Sequence, residues 1–98
     1  SMDVFLGAIF NIVFYQLLAM AVARIVNMEV GELVIDAIDA HLYANHYDVA
    51  KLMMSREPKP TPQVVVDPNL KNIDDLCVES FKIVGYDPHP GIKGEVAV

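Results

Sequence analysis

The longest apolar segment lies near the start of the chain. No charged residue falls between Asp3 and Arg24, and the amide side chains inside this stretch are Asn11 and Gln16. Its length and composition predict a long helix from about Phe10 to Val26. A helix that is apolar all round is typical of either a buried core helix or a membrane span.

The flanks of this segment help to choose between the two interpretations. Residues 1–7 are predicted to be a strand end or loop that Gly7 breaks before the helix, and Asn27 suits the helix end because asparagine tolerates left-handed backbone. Gly7 and two amides interrupt the span, and it lacks aromatic belts and a basic cluster on one side. These features favour a buried core helix, with a single membrane span as the alternative.

The period of the pattern changes after the helix. Residues 32–43 alternate as a strand does, with one face made of Leu33, Ile35, Ala37, Asp39, His41 and Tyr43. The opposite face is mostly apolar and carries Val34, Ile38, Ala40 and Leu42. Because the polar side chains are on the first face, we expect the apolar face to meet a second copy of the chain.

Shorter elements complete the prediction. Asn45 is expected to cap a helix that "EPKPTP" ends, because three prolines exclude both a helix and a central strand. "QVVVD" and "SFKIVGYD" are predicted strands, and residues 73–76 are predicted to form a helical turn. The tail, "PHPGIKGEVAV" (residues 88–98), is predicted to be extended. The pattern therefore predicts one α+β domain over residues 1–98, with a long buried helix, a mixed sheet and a second shorter helix.

Composition and charge exclude some partners. The chain has 98 residues, 54% of them hydrophobic, and a net charge of −6 without a basic cluster. Nucleic acid is therefore not expected as a ligand, because phosphate binding requires clustered lysine and arginine. The apolar excess suggests surface that a partner covers. The abrupt start suggests a cut end, with no signal peptide, and a lone cysteine fits a reducing, cytoplasmic location.

Few side chains are candidates for chemistry. Asp39, His41 and Tyr43 share a strand face, where an acid can orient an imidazole and a phenol adds a hydrogen-bond donor. Cys77 is flanked by acids and has no lysine, arginine or histidine close by in sequence, so we expect a small buried hydrophobe there and no nucleophile. No spacing of His41, His46 and Cys77 predicts a metal site. Asn11 is either a hydrogen-bonded core amide or a recognition residue.

Four segments of the chain resemble thymidylate synthases. "SMDVFLGAIFNIVFYQLLA" is similar to the family segment RSxDxxLGxPFNIxxYxxL, and "DAHLYANH" resembles GDxHxYxNH. "SREPKPTP" is similar to xREPxPxP, and "GYDPHPGIKGEVAV" resembles the closing segment of the family. They occur in the order and at the spacing of the family, over residues 1–98. The resemblance implies methylation of deoxyuridylate to thymidylate with 5,10-methylenetetrahydrofolate, by a homodimer.

The resemblance also implies roles for individual residues. Asn11 pairs with the pyrimidine ring, His41 and Tyr43 hold the deoxyribose hydroxyl, and Ser1 contacts the phosphate. The folate site and the tail that closes over it are matched by Asp3, Leu6, Gly7, Phe10 and Ala97.

The chain also departs from the family. The cysteine nucleophile of the PCH motif and the phosphate-binding arginines belong to a portion upstream of these 98 residues, so no residue here is expected to be catalytic and this chain alone is expected to be inactive. Ile9, Phe14 and Ile38 add apolar bulk near the expected pocket, where the family usually has smaller residues or proline. The alternative function is a non-catalytic nucleotide-binding or dimerisation module derived from the same family.

Overall fold

The computed structural model describes residues 1–97 and has the α+β class that the sequence predicts. Two compact units make up the chain: residues 1–13, 34–58 and those from 89 onward form the first, and residues 14–33 and 59–88 form the second. The helices and strands are β1 (Met2–Asp3), α1 (Ile9–Ile25), β2 (Ala40–His41), α2 (Tyr47–Met54), β3 (Gln63–Val66) and β4 (Phe81–Val84).

Helix α1 confirms the long helix predicted from the apolar segment. A π-helical turn, Val4–Ala8, precedes it directly, so the prediction that Gly7 breaks the chain before the helix is wrong. Asp3 caps this turn: its Oδ1 accepts the main-chain N–H groups of Phe5 and Leu6 at 3.2 and 3.1 Å. The cap satisfies N–H groups that have no partner within the helix, and this allows the helical backbone to start at Val4.

The end of α1 is also as predicted. Asn27 has φ 57°, and the N–H of Met28 donates to the Ala23 carbonyl at 2.8 Å, as in a left-handed helix termination. The burial of α1 is lower than predicted: only Ala21 and Ala23 of this helix are buried. Within residues 1–97, the continuous helix from Val4 to Ile25 alone has the length and composition to cross a membrane.

The strand predicted over residues 32–43 is wrong in its extent. Only Ala40–His41 pairs with a neighbour, and a turn at Ile38–Asp39 precedes it. The partner strand β1 has two residues and runs parallel, with Met2 opposite Ala40 and Asp3 opposite His41. Alternation of side chains cannot make a strand without a neighbour that accepts its hydrogen bonds, and residues 31–37 have no such neighbour in the described part.

The helix predicted from Asn45 begins later. A 3₁₀ turn, Ala44–His46, comes first, and α2 runs over Tyr47–Met54 with His46 at its N-cap. The predicted Asn45 cap is therefore wrong, because Asn45 lies inside the 3₁₀ turn and His46 occupies the N-cap position. The Asn45 Nδ2 donates to the Glu95 carbonyl. The end of α2 before the proline-rich segment is confirmed.

The second unit contains the antiparallel pair β3–β4, whose two strands were both predicted. Gln63 lies opposite Val84 and Val66 opposite Phe81. With the parallel pair β1–β2, the chain has two separate two-stranded sheets in residues 1–97 where the sequence predicts one mixed sheet. The hydrophobic core of this unit consists of Ala21, Val66 and Leu70, with Met20, Ile25, Leu76 and Phe81 packed against them.

Cys77 lies at the surface. Its side chain is exposed, so the prediction that it is a buried hydrophobe is wrong. The residue caps a 3₁₀ turn, Val78–Ser80, and its main-chain N–H donates to the Ser80 Oγ at 3.0 Å. Ser80 is the buried member of this turn. The predicted helical turn at residues 73–76 is confirmed as Ile73–Asp75.

Candidate functional site

Two segments that the sequence marks as site-forming lie side by side in the first unit. The N–H of Met2 donates to the Asp39 carbonyl at 2.7 Å, and β1 then runs parallel to β2 with Asp3 opposite His41. This pairing fixes the start of the chain against the residues around His41. The parallel strands thus bring together groups that are almost 40 residues apart in sequence.

His41 contacts both Asp39 and Tyr43, although the strand predicted to carry all three is limited to Ala40–His41. The His41 Nδ1 lies 3.3 Å from the Asp39 carbonyl oxygen and 3.9 Å from its carboxylate, and the His41 and Tyr43 rings meet edge to face at 5.0 Å. When Nδ1–H donates to the carbonyl, Nε2 on the other side of the ring is an acceptor. His41 is half-buried and Tyr43 is 43% exposed, so both remain accessible.

Asn11 lies on the first turns of α1 and is exposed. The interpretation as a buried core amide is therefore wrong for the described chain, whereas its role in recognition stays a prediction. A Cβ on Gly7 would be in ordinary van der Waals contact with the Asn11 Nδ2, at 3.9 Å. Ser1 is exposed directly before β1.

The residues expected to line a folate site come from the turn before α1 and from the tail. Leu6 and Gly7 are half-buried, and Phe10 is 72% exposed. Asp3 uses Oδ1 alone as the helix cap, which leaves Oδ2 able to accept further hydrogen bonds. Ala97 lies with Val96 and Tyr43 around a cavity of about 370 Å³.

The sequence did not predict the contacts that hold this tail. The Glu95 carbonyl accepts two side chains, from the Asn45 Nδ2 at 3.1 Å and the His46 Nε2 at 2.6 Å. His46 is fully buried, and its other ring nitrogen, Nδ1, has no partner within residues 1–97. Such a buried unpaired acceptor costs about 1–3 kcal/mol. Local sequence gives no signal for these bonds, because their partners are about 50 residues apart.

The start of the tail is held at a second place. Arg56 Nη1 donates to the Pro90 carbonyl at 2.7 Å, and the His89 Nε2 lies 2.8 Å from the Glu57 carbonyl oxygen. The two bonds run in opposite directions between the segment after α2 and the tail. The arginine and the histidine of the two family-like segments "SREPKPTP" and "GYDPHPGIKGEVAV" therefore join those segments to one another.

Other parts of the described chain do not add to the predicted site. No three His, Cys, Asp or Glu side chains of residues 1–97 are arranged to hold a metal ion. A cavity of about 640 Å³ in the second unit lies between the end of α1 and β3 and contains none of the predicted site residues. Ile9, Phe14 and Ile38, the departures from the family, are 44%, 61% and 99% exposed.

Comparison with known proteins identifies the family and the fold of the chain. The family model described as thymidylate synthase matches residues 1–98. The structure is similar to that of the thermostable thymidylate synthase A from Bacillus subtilis, with a TM-score of 0.94 and 33% sequence identity; the match covers 100% of this chain and 35% of that chain. The chain thus spans about a third of that protein's length. Because helix α1 lies inside the matched fold, the alternative of a single membrane span is not favoured. This chain belongs to the thymidylate synthase family.

Proposed function

We propose that this chain forms part of the pocket in which deoxyuridylate is methylated to thymidylate. The observation that carries the proposal is the parallel pairing of β1 with β2, because it places the segment leading to Asn11 beside His41 and Tyr43 in a chain of this family. Both segments expose polar groups of the kinds that a nucleotide requires.

Asn11 is proposed to recognise the base. Its amide N–H₂ donates to the uracil 4-oxygen, and its carbonyl accepts from the ring N3–H. Cytosine presents an amino group and an unprotonated ring nitrogen at these two places. A fixed amide therefore leaves buried polar atoms unpaired when cytosine is bound, and this rejects the wrong base.

His41 and Tyr43 are proposed to hold the deoxyribose hydroxyl. The edge-to-face contact at 5.0 Å keeps the two rings together, and the bond from His41 Nδ1 to the Asp39 carbonyl fixes the imidazole. A hydroxyl is both a donor and an acceptor, so it can pair with an imidazole nitrogen and a phenol at once. Ser1 is proposed to contact the phosphate, with further contacts from residues beyond this chain.

The residues present fit the family cofactor, 5,10-methylenetetrahydrofolate, which supplies the one-carbon unit. Leu6 and Phe10 offer apolar surface to a flat ring, and the free Asp3 Oδ2 offers an acceptor to ring N–H groups. Gly7 keeps the approach open, and Ala97 belongs to the tail that covers the bound ring. These residues bind and orient the cofactor, while the attacking thiolate comes from a family cysteine outside residues 1–98.

The test joins this chain to the N-terminal portion of a thymidylate synthase whose own C-terminal third has been removed. The joined protein should release tritium from 5-tritiated deoxyuridylate when the folate is present. The 98-residue polypeptide by itself should release none, because Cys77 lies among acids and lacks the family motif. Cys77→Ser in the joined protein serves as the control and should retain activity. Turnover by the polypeptide alone, or none by a well-folded joined protein, contradicts the proposal.

The apolar surface before β2 is proposed to meet a second copy of the chain. Val34 and Ile38 are 77% and 99% exposed, and Ala40 is exposed next to them in sequence. Burying apolar area contributes about 25 cal/mol per Å², and obligate dimer interfaces exceed about 2,000 Å² in total. A second copy of the chain would cover these apolar side chains.

A further inference from the structure

The buried His46 and its neighbour Asn45 both hydrogen-bond to one carbonyl group of the tail. The side chains of Asn45 and His46 both donate to the Glu95 oxygen, at 3.1 and 2.6 Å. His46 is fully buried, with its ring 5.2 Å from that of Phe5 and 6.1 Å from that of Tyr43. A carbonyl can only accept, so the His46 Nε2 carries the hydrogen of this bond.

Stability alone does not explain an imidazole at this position. Its Nδ1 is buried and unpaired in the described chain, and an apolar side chain of the same size would avoid that cost. The one polar contact that this ring makes within residues 1–97 is with the tail. The imidazole is therefore required for the hydrogen bond to the tail, whereas an apolar side chain of similar size could pack equally well against Phe5.

The tail backbone lies close to the turn before α1 at Gly94, one residue before the Glu95 carbonyl. A Cβ on Gly94 would lie 2.6 Å from Phe5 Cε1 and 2.9 Å from Leu6 Cδ2, so the backbone comes directly against the turn before α1. One residue later the Glu95 carbonyl meets the two donors. Val96 and Ala97 then line the cavity at Tyr43. The fixed carbonyl is thus the last anchor before the residues that reach the cavity.

We propose that Asn45 and His46 form a clamp on the Glu95 carbonyl and are positioning residues, which set where Val96 and Ala97 lie relative to Tyr43. They do not touch the reacting atoms. Two donors on one carbonyl define its direction as well as its place, and this orients the peptide that follows. The consequence for the cofactor, that a released tail binds folate less well, rests on the proposed function.

The experiment measures how often the tail is released from the clamp, in the protein at its full natural length. Carboxypeptidase trimming of the terminal residues is followed by intact mass. His46→Leu removes the donor and keeps the bulk, His46→Gln keeps a donor, and Asn45→Ala removes the second donor at an exposed position. The matched control is Asn69→Ala, an exposed asparagine in a turn of the second unit.

Loss of one hydrogen bond should raise the trimming rate by roughly fivefold to tenfold in His46→Leu and Asn45→Ala, because the open population rises by that factor. His46→Gln should be trimmed nearly as slowly as the unmodified protein. Equal trimming in Asn45→Ala, His46→Leu and the Asn69→Ala control overturns the clamp. If His46→Leu does not fold, Asn45→Ala decides, since its site is exposed.

Kinetics of the same variants separate the clamp from the proposed function. The KM for the folate should rise by roughly the same factor as the trimming rate, with the KM for deoxyuridylate unchanged. A general structural defect would instead lower kcat and raise both KM values. Faster trimming in a protein that methylates no nucleotide leaves the clamp standing and rejects the proposed function. Unchanged trimming in an active enzyme rejects the clamp alone.

Discussion

Asp3 and His41 are register partners in the parallel pair β1–β2. Asp3 simultaneously caps the helical turn that starts at Val4, and His41 is held by the Asp39 carbonyl through Nδ1. One strand pairing therefore sets the start of the long helix and the position of the imidazole together. A change that shifts either segment is expected to disturb the other.

Replacing Asn11 with aspartate should change the preferred base. The aspartate offers two acceptors in place of one donor and one acceptor, so uracil loses a partner and the amino group of cytosine gains one. We expect the ratio of affinities for deoxyuridylate over deoxycytidylate to fall by about tenfold or more. Competition binding to the joined protein measures the ratio.

Asn69→Asp is the control for this change in charge, because Asn69 is an exposed asparagine of the second unit and is not one of the predicted site residues. Its base preference should match that of the unmodified protein. Base ratios that are the same before and after Asn11→Asp would remove Asn11 from recognition.

Replacing Tyr43 with phenylalanine should weaken nucleotide binding through the sugar. The variant keeps the edge-to-face contact with His41 and loses only the hydroxyl. Loss of one hydrogen bond should raise the Kd of deoxyuridylate by about threefold to tenfold. The difference should vanish with a dideoxy analogue that lacks the sugar hydroxyl, and Tyr86→Phe, at a 65% exposed tyrosine, should have no effect. A Tyr43→Phe effect of the same size on both nucleotides would place the contact elsewhere.

Replacing Gly94 with alanine should destabilise the protein. The added Cβ would lie 2.6 Å from the Phe5 ring and 2.9 Å from Leu6, and a buried ring has little room to move. We expect a loss of about 1–3 kcal/mol in the free energy of unfolding, as overpacking typically costs. Denaturant titration measures it. Gly91→Ala is the matched control, because a Cβ there meets nothing within 4 Å, and equal stability of the two variants would contradict the close approach.

Replacing Ile38 with aspartate should dissociate or aggregate the oligomer. Ile38 is 99% exposed in the turn before β2, so a charge there does not disturb the interior of the chain but does oppose an apolar interface. Light scattering at micromolar concentration should show a dimer or larger species before the change. Val78→Asp, at an 84% exposed residue of the second unit, should leave the species as it was. A stable monomer unaffected by Ile38→Asp would assign this surface to something other than a second copy.

The sequence by itself determined the elements that depend on neighbouring residues. The long helix, its end at Asn27, the stop of α2 before the prolines, and strands β3 and β4 all follow from periodicity, backbone preference and the geometry of proline. The contacts of His41 with Asp39 and Tyr43 join residues two apart in sequence, although the extended strand from which they were predicted is limited to Ala40–His41.

Only the tertiary structure decided the features that depend on distant partners. Strand β2 is two residues long because β1 offers only two residues to pair with, although alternation continues over residues 32–43. Asn45 lies in a 3₁₀ turn before α2, and its Nδ2 donates to the carbonyl of Glu95, fifty residues away. Cys77 is exposed because the turn it caps lies at the surface. The physical reason is common to all three: a hydrogen bond or buried surface exists only when its partner is present, and the choice of partner is made by the folded chain.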